Sequence, residues 1–173
     1  MDVPTLNLIE ERLYLQTIPG KLLKFYVAIV PDSKFNGMRY YFKAHEFGRL
    51  FNIHKPHTYI RHNMASELYI EWASIKNHLK LDGDEIDTAE WTDRNLFLTE
   101  TGLMMLMAHV PLAIKSEIIL YFNRYLKPKL YVTLTMMRYE NIMYKRLKFY
   151  YHSWFMFKNT IDNGTKPDSL SSS

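Results

Sequence analysis

Leu22-Leu23-Lys24-Phe25-Tyr26-Val27-Ala28-Ile29-Val30 concentrates aromatic and β-branched side chains in nine successive positions and reads as a β-strand. Pro31-Asp32 ends it. Asn36-Gly37 then offers the backbone a positive-φ position at small steric cost, and Met38-Arg39-Tyr40-Tyr41-Phe42 follows as a second strand, so a hairpin is expected. On the other side, before Pro19-Gly20, Leu6 to Leu15 mixes alternation with charge and fits either a short strand or a packed amino-terminal arm.

Beyond the hairpin the period changes. Ala44, Phe47, Leu50 and Phe51 recur at helical spacing, and Pro56 can open a second helix through His62 because the first turn needs no amide hydrogen from it. Leu68, Trp72, Ile75 and Leu79 predict a helix over Glu67 to Leu79, followed by an acidic turn at Asp82-Gly83-Asp84-Glu85. Trp91 with Leu96-Phe97-Leu98 suggests a small strand pair, and the Thr99 hydroxyl can cap a helix starting near Glu100. Pro111 separates that helix from one over 112–126, which Pro128 is expected to end; a long helix then runs over 131–158. The expected fold class is α+β, a small amino-terminal β-hairpin or sheet packed with several helices and followed by a long carboxy-terminal helix. The corresponding divisions are 1–21 as an arm or strand, 22–130 as the domain, 131–158 as a helix packed on it or in an oligomer interface, and 159–173 as a flexible tail.

Hydrophobic residues make up 47% of the 173, enough for one sizeable core, and the absence of cysteine excludes a disulfide framework, a thiolate zinc finger and a cysteine nucleophile. A basic, apolar leader is lacking after Met1, and His109, Pro111, Lys115 and Glu117 interrupt the apolar 103–122 stretch; a soluble intracellular chain with no membrane role is expected. The formal charge of +4 is too small to name a partner, but it is unevenly placed. Residues 34–62 hold six Lys or Arg against one acid, whereas 82–100 hold seven acids against one Arg. In the basic stretch Lys43, Arg49, Lys55, His57, Tyr59 and Arg61 can project from a helical corner toward a phosphate backbone, with Arg124, Lys127 and Lys129 as a secondary basic surface. His54, His57 and His62 do not complete a zinc ligand set, and no nucleotide-binding, zinc-protease or calcium-loop motif occurs, so neither metal, cofactor nor enzymatic activity is expected.

The stretch Tyr41-Phe42-Lys43-Ala44-His45-Glu46-Phe47-Gly48-Arg49-Leu50-Phe51-Asn52 resembles the opening motif of the BRO amino-terminal domain of baculovirus repeated-ORF proteins and related viral and phage regulators. His57-Thr58-Tyr59-Ile60-Arg61-His62 resembles that family's second helical segment. Leu96-Phe97-Leu98-Thr99-Glu100-Thr101-Gly102-Leu103, followed by the 112–128 helix, resembles its later motif and closing helix. The resemblance covers roughly 22–130. It implies a viral DNA-binding protein with a regulatory role, acting in the host nucleus and also in the cytoplasm, with RNA as a second nucleic-acid partner. Matching motif to motif puts the contacts at Lys43, Arg49, Lys55, His57, Tyr59 and Arg61, and the core at Phe42, Phe47, Leu50 and Ile60. The His54-Lys55-Pro56-His57 run and the 107–117 segment, which lacks the fuller basic pattern, depart from the family. The alternative is a viral structural or host-protein-interaction module, a homodimer among its forms, that keeps the architecture without binding nucleic acid.

Overall fold

The computed structural model describes residues 7–32, 37–78 and 86–164, in two units, Met1–Leu134 and Thr135–Ser173. The first unit is built on a five-stranded antiparallel sheet in the order β1-β2-β3-β5-β4. The strands are β1 (Asn7–Leu15), β2 (Lys21–Asp32), β3 (Gly37–Lys43), β4 (Tyr69–Glu71) and β5 (Leu96–Leu98). Its helices are α1 (Ala44–Leu50), α2 (Pro56–Asn63), α3 (Trp72–Ile75), α4 (Glu100–Leu106) and α5 (Leu112–Tyr121). A π-helical turn (Phe122–Leu126) leads into α6 (Lys127–Gly164), whose residues from 135 onward are the described part of the second unit. The α+β class and the long carboxy-terminal helix are as the sequence predicts.

The apolar run in β2 is nearly continuous because both faces of the strand are covered. Leu23, Phe25, Val27 and Ile29 are buried on one face, where Phe25 meets Phe47 of α1 at 5.1 Å and Phe122 at 5.9 Å between ring centroids. On the other face Ala28 and Val30 pack with Trp72, Ile75 and Phe97, and Trp91 crosses Trp72 at 4.9 Å. Pairing of Asn7 with Ile29 through Leu15 with Lys21 makes the opening segment a sheet strand, resolving the choice between strand and arm.

Three expectations are corrected. The helix predicted over Glu67–Leu79 is a 3₁₀ turn at Ser66–Leu68, then β4, and only one α-turn from Trp72 to Ile75. Residues 69–71 are taken by the sheet because Tyr69 and Glu71 pair with Leu98 and Leu96 of an otherwise open β5 edge. Trp91 forms no strand with Leu96–Leu98, which pairs with β3 and β4 instead. Pro128 does not end the helix; it is the second residue of α6, directly after the π-turn, where widened backbone bonding tolerates a residue with no N–H to donate. The helix accordingly extends past 158 to Gly164, leaving only 165–173 of the expected tail outside the described residues. Lys34, Asn36 and the acidic turn at 82–85 also lie outside them. Thr99 caps α4 as expected, its Oγ1 accepting from the Gly102 N–H at 3.0 Å.

Candidate functional site

The corner between α1 and α2 is set by backbone chemistry. A Cβ on Gly48 would stand 2.3 Å from Cγ of Pro56, so glycine is what lets the two helices approach, and Pro56 occupies the first position of α2. Two non-glycine residues of the connector, Asn52 and Lys55, are left-handed, at φ 54° and 51°. The turn is held by the Ile53 N–H donating to the Gly48 carbonyl at 2.9 Å. Lys55 is exposed immediately before α2.

The six sequence candidates do not converge on one surface. Lys43 is buried under aromatic rings: its Nζ lies 2.6 Å from Glu46 Oε1 and 4.8 Å from the centroid of Trp91, and the residue is 4% exposed. It therefore supports the fold and is not offered to a phosphate. Arg61 donates to Glu71 Oε1 at 2.6 Å, which ties α2 to β4. Tyr59 lines a different cavity of about 470 Å³, with Phe51, Ile53, His54, Leu106 and Ile114 among its walls. His57 is half-buried with its Nε2 shut away from a hydrogen-bond partner, and its ring centre is 6.2 Å from that of His45.

What the fold does bring together is Arg49 with two lysines that sequence reasoning missed. Arg49, Lys21, Lys24 and His45 line one open pocket of about 320 Å³ at the start of β2. Lys21, Lys24 and Arg49 are all exposed, and Glu46, the acidic residue on this wall, already accepts from Lys43. Lys24 also lies 3.1 Å from Glu10. Part of the signal was present in β2: alternation puts Lys24 on the face opposite Leu23 and Phe25, the face that Ala28 and Val30 share further along the strand. What was not legible is that the end of α1 returns to that strand. A neighbouring cavity shares Tyr26, His45, Glu46 and Arg49 with this pocket and adds Trp91, Asp87 and Glu90, so Arg49 stands between the two lysines on one side and two carboxylates on the other.

The secondary basic surface is largely engaged in holding the domain together. Lys127 lies 2.5 Å from Glu100 Oε1, and the Tyr40 hydroxyl donates to Glu100 Oε2 at 2.7 Å. Burial opposes ionisation of Glu100, but Lys127 and Tyr40 outweigh it and hold the carboxyl below its ordinary range. Lys129 donates to Glu11 on β1, which also accepts from the Tyr121 hydroxyl at 2.7 Å. Arg124 is exposed on the π-turn. Among the described residues no group of three or more His, Asp or Glu could hold a metal ion, and no helix is long and apolar enough to cross a membrane.

Both imidazoles are held below the ordinary value of 6.5, His57 by burial and then by His45, Arg61 and Lys43, and His45 by burial together with Lys43 and Arg49. In the unfolded chain they bind protons at a higher pH than in the fold. Their contribution to stability is therefore complete above pH 6.5 and declines as pH falls below it through the folded-state values. Urea denaturation should show a lower midpoint at pH 5.5 than at pH 7.5, and His57→Gln should flatten that dependence; an unchanged slope in the variant would contradict the assignment.

Comparison of the chain with protein-family models, with curated proteins and with solved structures finds no match in any of the three.

Proposed function

We propose that the chain is a nucleic-acid-binding protein, with duplex DNA as its principal partner, and that its phosphate contacts come from Lys21, Lys24 and Arg49. The observation that carries this reading is their exposure around one open pocket, where the wall residue Glu46 is bonded to Lys43 and Lys24 would exchange the Glu10 carboxylate, 3.1 Å away, for a phosphate. Three cations at one surface can replace the counterions condensed on a phosphate backbone, and such contact needs neither a metal nor a catalytic residue. Lys55, exposed at the start of α2, extends the same chemistry beyond the pocket. The resemblance to the BRO amino-terminal domain points the same way, and a regulatory role in an infected cell nucleus belongs to this proposal.

Arg49 and Arg61 separate this reading from one based on basic composition alone. Arg49→Ala should weaken binding of a labelled duplex about three- to tenfold, the loss of one charge-assisted phosphate contact. Arg61→Ala should leave affinity within twofold, because that guanidinium is bonded to Glu71. Equal losses in the two variants, measured by fluorescence anisotropy at one salt concentration, would contradict the proposed site.

A further inference from the structure

The second unit presents a row of large apolar side chains with a helical partner's spacing. Met136, Met143, Leu147, Tyr150, Trp154 and Phe157 follow one another in alternating steps of three and four residues once position 140 is counted, and Ile161 continues the series. Met136, Leu147, Tyr150, Trp154 and Phe157 are between 54% and 66% exposed, with the Lys158 Nζ 5.4 Å from the centre of the Trp154 ring, and Met143 is partly exposed. Positions 138, 145, 152 and 159, opposite the row, carry Arg, Lys, His and Asn. Ile142, Phe149 and Met156 form another line, but with one residue per seven they supply no two-position seam.

The spacing selects the occupant. A heptad register kept from position 136 to 161 fits a second helix better than a flat surface, because a straight helix drifts about 20° per heptad away from a 3.5-residue repeat and only interlocking helices wind to follow it. Like charges do not oppose an antiparallel self-association: Lys145 and His152 stand on the far side of the helix from the seam, and Arg146, which flanks it, comes near Ser153 of the second copy. Burying the exposed parts of these side chains on two helices removes on the order of 1,000 Å² from water, the size at which a specific interface becomes stable. Glu140 is the acidic residue in the seam register, and it fixes the direction. Parallel helices would set Glu140 against Glu140 of the second copy. Antiparallel helices set position 136 opposite 161, 140 opposite 157, 143 opposite 154 and 147 opposite 150, which separates the two acids at 140 and puts each next to position 158, a lysine, of the second copy.

We propose that residues 136–161 form an antiparallel two-helix interface between two copies of this chain. The inference does not depend on nucleic-acid binding. Light scattering on the full chain should give a dimer, with Leu147→Glu and Trp154→Glu monomeric and His152→Glu still dimeric. A monomeric wild-type chain, or a dimer that Leu147→Glu leaves intact, would overturn the proposal, as would a monomer that uses the same row to bind anionic vesicles or single-stranded DNA. Because the chain has no cysteine, cross-linking reads the direction without disrupting the helix. Met136→Cys mixed with Ile161→Cys should form a disulfide-linked dimer. Met136→Cys alone should not, since antiparallel copies hold those positions roughly 37 Å apart, far beyond disulfide reach. Self-linked Met136→Cys would overturn the antiparallel arrangement.

Discussion

Phe42→Ala is expected to destabilise the first unit by about 3–5 kcal/mol. Phe42 is 1% exposed at the centre of an aromatic cluster, stacked on Phe122 with centroids 5.2 Å apart and crossing Phe47 at 6.3 Å. Those rings come from β3, the π-turn and α1, so the void left by alanine lies where three elements meet and cannot be filled by moving any one of them. Phe42→Leu, which keeps much of the volume, should cost about 1–2 kcal/mol. Urea denaturation with an unchanged dependence on denaturant measures both. A loss for alanine below about 1 kcal/mol would show that the cluster does not organise the fold.

Removing the Lys43 ammonium should have the next largest effect. Lys43→Met keeps the apolar stem under Trp91 but takes the donor from Glu46 Oε1, while Glu46 Oε2 is already buried without a partner. The expected cost is about 2–3 kcal/mol, less than for a fully buried pair because the Glu46 side chain is 18% exposed. Replacing both, as Lys43→Met with Glu46→Met, should recover most of it, because the penalty belongs to the carboxylate left behind and not to the absence of the pair. Duplex affinity of Lys43→Met should stay within twofold of wild type, since this ammonium faces tryptophan and glutamate. No recovery in the double variant would contradict the ion-pair assignment.

The contrast between Lys43 and Lys24 shows how much of the site can be read from letters. Both are single lysines beside strand aromatics. Alternation puts Lys24 on the opposite face from Leu23 and Phe25, a period that is legible in the sequence. The fate of Lys43 depends on Trp91, 48 residues away, whose ring covers it, and no local pattern records that contact. The bond from Arg61 to Glu71 is hidden for the same reason: Glu71 lies on a strand that forms by pairing with β5. Local chemistry was read well where it is self-contained, as with the Thr99 cap and Pro56 at the start of α2. It failed at Pro128, where an ordinary α-helix would end but a π-turn removes the clash, and at 69–71, where sheet pairing outweighs helical spacing. The basic stretch at 34–62 was visible as composition. That Lys43 is buried, Arg61 is tied to Glu71 and Arg49 faces the pocket beside β2 is tertiary.

The salt dependence of duplex binding by the unmodified chain tests the proposed function most directly. Three phosphate contacts of about 0.9 each predict that the logarithm of the association constant falls with the logarithm of salt concentration at a slope of about −2.7, and at about −0.9 in the Lys21→Ala/Arg49→Ala variant. Absence of binding at low salt, or the same slope for both proteins, would contradict it.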